Sequence, residues 1–222
     1  MHRLIMNSAA YQMASTLNPK AYDVDPTNDL FWRFNMRRLT AEEIRDSILA
    51  VNGALNKEKM FGPSIYPIIP KEVLQGQSRP GENWGRSAPE DLNRRSIYVH
   101  IKRSLPVPIL ASFDVADPDT PCPVRFNTVQ PTQALGMINS DFLNRQAKVF
   151  ADSVASQQPE DLEKQVDLTL SLVTQRDPNP EEIERGVAFV RQVMADDRVD
   201  EKEAMRQFCL IALNLNEFLF LD

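Results

Sequence analysis

Residues 179–194 read NPEEIERGVAFVRQVM, and this stretch indicates the structural class of the chain. Asn179 and Glu182 have the spacing of a capping box, in which each side chain accepts a hydrogen bond from the other residue's backbone N–H. Pro180 stands at the first helical position, where the N–H group that it lacks would have no partner. The apolar residues that follow at helical spacing are Ile183, Val187, Val190 and Met194. The stretch therefore predicts an amphipathic helix.

Similar signals occur on both sides of this helix. Ser140 can cap one helix, Pro159 can begin a second, and Asp200 with Glu203 has the spacing of another capping box. The apolar residues that repeat at helical spacing are Leu143, Ala147, Phe150 and Val154, then Leu162, Val166, Leu170 and Val173, and then Ala204, Phe208, Ile211 and Leu215. We therefore predict a bundle of about four helices over residues 140–215.

The first sixty residues are also predicted to be helical. Thr40 and Glu43 form a capping box, and the apolar residues that then share one helical face are Ala41, Ile44, Ile48, Val51 and Leu55. Upstream of this helix, residues 2–15 and residues 28–34 are each predicted as helix.

Residues 61–130 hold most of the prolines and glycines, and we predict an irregular segment there. Residues 96–101 alternate with the period of a strand that has one buried face, and residues 64–69 are the expected partner. The predicted fold class is mainly α: a helical bundle with a small β-ribbon and a long irregular proline-rich middle segment. We predict one domain over residues 1–222, divided into a helical part (1–60), a loop and ribbon part (61–130) and a helical bundle part (131–222).

Composition and charge exclude several classes of protein. The formal net charge is −6, and this argues against a nucleic-acid partner because such proteins normally carry a positive surface. No apolar run approaches the roughly 18 to 20 residues that a membrane span requires, and the apolar run after Met1 is too short for a secretory signal peptide.

Known catalytic motifs are missing from the sequence. It contains no glycine-rich phosphate loop, no Gly-x-Ser-x-Gly, no His-Glu-x-x-His and no Cys-x-x-Cys-His for haem attachment. His2 and His100 are the only histidines, which excludes a multi-histidine metal site. We therefore expect no cofactor and no metal in this chain, and whether it is an enzyme is left open.

Charged residues gather around the irregular segment and form the candidate ligand site. Asp114, Asp117 and Arg125 lie in its loop of residues 113–128, and Arg94 and Arg95 come shortly before this loop. One interpretation is a polar pocket for an anionic or hydroxyl-rich ligand. The other is a structural network, because arginine and carboxylate groups in fork geometry can hold loops together.

Trp84 and the two cysteines each have two interpretations. Trp84 lies in a loop of turn-forming residues, where it can stack on a sugar or a partner, or fold back onto the core. Cys122 and Cys209 can be two buried thiols or one bridge that closes a long loop.

Many short motifs resemble a known family, the planctomycete-specific C-terminal domain of unknown function 1553. The likeness covers nearly the whole chain, and the residues that carry it are His2 to Met6, Ser8, Tyr11, Trp32, Arg33, Asn35, Arg37 to Leu39, Ala41, Glu42, Ile44 to Asp46, Gly62 to Ser64, Arg94 to Tyr98, Phe113, Asp114, Asp117, Pro118, Cys122, Arg125, Thr128, Pro131, Gln133 to Leu135, Asn139, Asn214, Asn216 to Phe218 and Asp222. The residues after Tyr11 depart from the family pattern, and the chain starts inside that pattern.

The resemblance implies a fragment of a larger exported protein that often carries a c-type cytochrome module and is encoded near polysaccharide-degrading proteins. An exported parent would favour the bridge between Cys122 and Cys209. The leading hypothesis is a periplasmic or otherwise extracytoplasmic scaffold or binding module whose partners are the other domains of its parent. The alternatives are a carbohydrate-active enzyme domain that binds a glycan, and a redox-partner module whose redox centre lies in another domain.

Overall fold

A computed structural model describes residues 1–221 and divides the chain into two compact units. The first unit consists of residues 1–38 with the C-terminal residues from Phe220, and the second is Leu39–Leu219. The elements in chain order are α1 (His2–Met6), α2 (Pro19–Val24), β1 (Arg37–Arg38), α3 (Ala41–Val51), α4 (Lys71–Gln75), α5 (Pro108–Ala111), α6 (Pro131–Ile138), α7 (Asp141–Gln157), α8 (Leu162–Thr174), α9 (Pro180–Asp196), α10 (Glu201–Ala212), α11 (Asn216–Leu219) and β2 (Phe220–Leu221). The mainly α class is confirmed.

The first unit is mostly irregular. α1 ends at Met6, so the helix predicted over residues 2–15 is much shorter than expected. The helix predicted over residues 28–34 is wrong, because the Asp25 carboxylate accepts hydrogen bonds from the N–H groups of Asp29 and Leu30 at 3.0 and 2.8 Å and fixes a turn instead. β1 and β2 form an antiparallel pair with Arg37 opposite Leu221.

The second unit contains the predicted helical bundle, α7 to α10. α10 packs against α7 and α9, and α9 packs against α8. Gly186 of α9 packs tightly against α8 and α10, because an added Cβ atom would come within 2.5 Å of Val166 Cγ1 and 3.0 Å of Phe208 Cζ. The side chains of Leu143, Phe150 and other α7 residues are fully buried in the core of this bundle.

Most of the predicted helix caps are confirmed. Thr40 and Asn179 each form a complete capping box, and Ser140 accepts a hydrogen bond from the backbone of Leu143. Pro159 does not begin α8, which starts at Leu162 after the cap residue Asp161, whose side chain accepts a hydrogen bond from Lys164 N. Asp200 caps α10, although its predicted capping box is only half formed.

Two carboxylates explain why the capping box of α10 and the ribbon over residues 96–101 differ from their predictions. The Glu203 carboxylate binds the Arg206 guanidinium at 2.6 to 3.0 Å rather than returning to the backbone of the cap residue. The ribbon predicted over residues 96–101 is a single parallel bridge between Ile65 and Val99. Ser96 begins a short 3-10 turn there, held by the Asp46 carboxylate, which accepts from Ser96 N at 2.8 Å and from Ser96 Oγ at 2.7 Å.

Candidate functional site

Arg94 is fully buried and organises the loop of residues 59–63. Its Nε donates to the carbonyl of Lys59 at 3.1 Å, its Nη1 to that of Pro63 at 2.9 Å, and its Nη2 to that of Phe61. The guanidinium also lies 4.0 Å from the centroid of the Tyr98 ring. Among residues 1–221 no carboxylate lies within ion-pair distance of it, so carbonyl dipoles and an aromatic face stabilise the charge. Arg94 therefore acts as a structural clamp.

The clamped loop presents apolar side chains to solvent. Phe61 is 80% exposed and has a φ of 64°, a left-handed conformation that is rare for a bulky residue. Its N–H donates to the Tyr98 hydroxyl at 2.9 Å, which connects the loop to the 3-10 turn that carries Ile97. Met60 and Ile97 are 62% and 77% exposed. We call Met60, Phe61 and Ile97 the loop patch.

The backbone beneath the loop patch is connected at several points. Asn56 forms a parallel bridge with Arg94, and Ile65 N donates to the Tyr98 carbonyl at 2.7 Å. Lys59 Nζ lies 2.6 Å from Asp91 Oδ1. Hydrogen bonds and an ion pair therefore hold both sides of the loop, and the loop patch stands on an ordered base.

Arg45 of α3 forms a second buried guanidinium in the same region. Its Nη1 donates to the Arg94 carbonyl at 3.0 Å and to Ser96 Oγ at 3.1 Å, and its Nη2 donates to the Leu92 carbonyl at 2.7 Å. Burial lowers the pKa of Arg45 to about 10, although the Asp46 carboxylate 3.6 Å from Nη1 raises it. The group therefore keeps its charge at neutral pH.

Asp114, Asp117 and Arg125 make separate contacts within the irregular segment. Asp114 is half-buried, and its carboxylate accepts from Thr128 N at 2.8 Å and from Thr128 Oγ1 at 3.0 Å. Exposed Asp117 accepts from Asp119 N at 2.9 Å, which is the hydrogen bond of a local turn. Asp114 is thereby fixed by a backbone contact, and the ligand role of these residues stays a prediction.

Arg125 connects the irregular segment to α3 through a bidentate pair with Glu42, with distances of 2.7 and 3.0 Å. Burial raises the pKa of the Glu42 carboxyl, but the hydrogen bonds and charge of Arg125 outweigh that effect and lower the pKa overall. Arg95 is largely exposed and lies 3.5 Å from Asp46 Oδ2. Both arginines therefore take part in structural pairs.

Trp84 folds back onto the neighbouring chain. Its Nε1 donates to the Pro67 carbonyl at 3.1 Å, and its ring contacts those of Tyr66 and His100 at centroid distances of 5.5 and 5.9 Å. Gly85 lies so close to the Tyr66 ring that a Cβ atom there would come within 2.7 Å of it. The cluster is packed, and its geometry supports the structural interpretation of Trp84.

The two cysteines are free thiols in this structure. Cys122 is exposed in the irregular segment, and Cys209 is buried in the helical bundle. Burial raises the pKa of the Cys209 thiol to about 12, although a hydrogen bond with Thr169 acts in the opposite direction. The sequence offered two interpretations, two buried thiols or one bridge. The structure has two free thiols as in the first, but Cys122 is exposed and only Cys209 is buried.

Sequence reasoning missed the loop patch and the position of Arg45. Phe61 precedes Gly62 and Pro63, which indicates a turn but not an exposed aromatic ring. Arg45 lies four residues after Ala41, at the edge of the apolar face of α3, and this spacing could have identified it as a buried charge. Across residues 1–221, no group of three or more His, Cys, Asp or Glu side chains is placed to hold a metal ion.

Comparison with known proteins identifies one family. No curated protein and no solved structure matches the chain. No helix within the described part of the chain is both long and apolar enough to cross a membrane. Residues 1–190 match the model of a family called PSD1, described as a protein of unknown function (DUF1553). The chain therefore belongs to the DUF1553 family.

Proposed function

We propose that this chain is a noncatalytic, extracytoplasmic binding module, which docks onto another domain of a larger protein through the loop patch. It would hold no cofactor or metal of its own. Placement outside the cytoplasm follows from the family resemblance of the sequence. The docking role rests on the structure of the loop.

The observation that carries the proposal is the conformation of Phe61. A non-glycine residue in a left-handed conformation costs about 1 to 2 kcal/mol, and an aromatic ring that is mostly exposed gains little from burial in return. Arg94 holds the loop in this conformation from below. Strained residues that the surrounding structure keeps in place are common at binding surfaces, because the strain orients the side chain for its partner.

The chemistry of the loop patch favours a protein partner over a glycan. Phe and Met are enriched in protein interfaces, and the exposed side chains of Met60, Phe61 and Ile97 carry no hydrogen-bonding groups for sugar hydroxyls. The aromatic rings better suited to a sugar, Trp84 and Tyr66, contact each other and His100. The charged candidates Arg94 and Arg125 are engaged in internal contacts.

Substitution of Phe61→Asn tests the proposal. Asparagine tolerates the left-handed conformation, so the free energy of unfolding should stay unchanged or rise by up to about 1 kcal/mol. Binding to the other domains of the full gene product, measured by biolayer interferometry, should weaken by about tenfold or more, as expected for an aromatic anchor. Such a result separates binding from stability.

Leu135→Gln provides the matched control, because Leu135 is 60% exposed on α6 and glutamine is a good helix former. The affinity of this variant for the other domains should stay within about twofold of that of the unmodified chain, since residues other than the anchors contribute little binding energy. Equal weakening by both variants, or no weakening by Phe61→Asn, would overturn the proposed docking surface.

A further inference from the structure

A small cavity lies between α3, α5 and the start of α7. Its volume is about 90 Å³, and Pro67, Ile68, Ile109 and Phe142 supply apolar walls. A single water needs only about 10 to 15 Å³, so the space suits a small organic group. A second cavity of about 260 Å³ adjoins it and shares Ile109 among its lining residues.

The Arg45 guanidinium contributes to the wall of the smaller cavity. Arg45 is 2% exposed and lies 5.8 Å from the centroid of the Phe142 ring, which lines the same space. It donates three hydrogen bonds, two from Nη1 to Arg94 and Ser96 and one from Nη2 to Leu92. Within residues 1–221 no hydrogen bond from its Nε is found, and a guanidinium has five N–H donors in all. Two donors of a buried cation are therefore available to a ligand.

The charge on Arg45 is only partly balanced. Asp46 lies 3.6 Å from its Nη1, but the same carboxylate accepts from Ser96 and also lies 3.5 Å from Arg95. Arg145 adds another positive charge to the lining of the cavity. Two arginines thus share one carboxylate while a third faces the cavity, which favours an anion at this position.

We propose that this cavity binds a small monocarboxylate, whose carboxylate accepts hydrogen bonds from the two remaining N–H groups of Arg45 and whose apolar tail contacts Ile109 and Phe142. Guanidinium and carboxylate match in planar geometry, and a hydrogen bond between charged groups is stronger in a poorly hydrated site. This inference is independent of the loop patch, which lies on different residues.

The adjoining cavity limits which anions fit. It is lined by Glu72 and Asp141, whose negative charges disfavour a second carboxylate on the far end of the ligand. A monocarboxylate with an apolar tail should therefore bind better than a dicarboxylate of similar length.

Titration with butyrate, followed by NMR, tests the inference. The probe should produce saturable shifts of the Arg45 Nε–H signal and of the Ile109 methyl signals with one-to-one stoichiometry. Butyramide, which has nearly the same shape but no charge, should bind at least about tenfold more weakly, because it loses charge-assisted hydrogen bonds. Succinate should also bind more weakly than butyrate.

Two variants complete the test. Ile68→Trp places a larger side chain at the cavity mouth, and because Ile68 is 58% exposed the protein should keep its melting temperature while butyrate affinity falls by about tenfold or more. Arg145→Gln should weaken butyrate by a few-fold, with an effect that salt removes. Equal affinity for butyrate and butyramide, shifts confined to residues outside the cavity, or an unaltered affinity in Ile68→Trp would each overturn the inference.

Discussion

Replacing Arg94 with lysine should destabilise the protein strongly, whereas the same replacement at Arg95 should not. Arg94 donates three hydrogen bonds to the carbonyls of residues 59, 61 and 63, and it contacts the Tyr98 ring. A lysine ammonium cannot reach all three carbonyls in the arginine geometry, so about two charge-assisted bonds are lost. At about 1.5 to 3 kcal/mol for each of the two bonds, the free energy of unfolding should fall by roughly 3 to 6 kcal/mol.

Arg95 is the matched control because it is adjacent in sequence and its side chain is 60% exposed. Arg95→Lys should change the free energy of unfolding by less than about 0.5 kcal/mol, as is usual for an exposed pair. Urea unfolding followed by circular dichroism measures both variants. If the free energy of unfolding of Arg94→Lys stays within about 1 kcal/mol of that of the unmodified chain, the role of Arg94 as a structural clamp is wrong.

Three further predictions concern the helical bundle and the thiols. Gly186→Ala should lower the free energy of unfolding by about 1 to 3 kcal/mol, because the new Cβ overpacks the contact with α8 and α10. Gly136→Ala should raise it by about 0.5 to 1 kcal/mol, because its Cβ would meet no atom nearer than 4.0 Å. Equal effects of the two variants in thermal unfolding would contradict the packing of α9. Hydrogen bonds from Arg176 lower the pKa of Glu182 to about 2, below its ordinary 4.5, so this carboxylate stabilises the fold above pH 4.5 and loses that contribution as pH falls towards 2. Glu182→Gln should therefore lose less stability than the unmodified chain between pH 4.5 and 2. Identical dependence of stability on pH in the two proteins would refute the pairing of Glu182 with Arg176. A thiol reagent should modify Cys122 rapidly in the native protein and Cys209 only after unfolding, and fewer than two thiols in the denatured, unreduced chain would show a bridge.

The sequence predicted the helices well where capping residues and apolar spacing agree. Asn179 with Glu182, Thr40 with Glu43, and Ser140 all cap helices at the expected positions. These signals are local, since a cap needs only the next three residues. Prediction failed where a distant or competing carboxylate takes a backbone group, as when Asp46 fixes Ser96 in a turn across 50 residues of sequence.

The candidate site was harder to predict because residue type does not reveal the partner of a side chain. Arg94 was expected near a ligand, but its donors go to backbone carbonyls of a loop more than thirty residues earlier. The strained backbone of Phe61 has no sequence signature apart from the turn-forming residues after it. Both features arise from long-range contacts, which spacing and composition do not encode.

Hydroxyl-radical footprinting tests the docking role most directly, because it compares two phenylalanines of equal exposure. Phe61 and Phe126 are each 80% exposed, the first in the loop patch and the second in the loop of residues 113–128, which holds three of the predicted site residues. Oxidation of both rings is measured by mass spectrometry in the isolated chain and in the full gene product. Docking through the loop patch predicts that Phe61 and Met60 become protected in the full gene product while Phe126 does not; protection of Phe126 alone, or of neither ring, would contradict it.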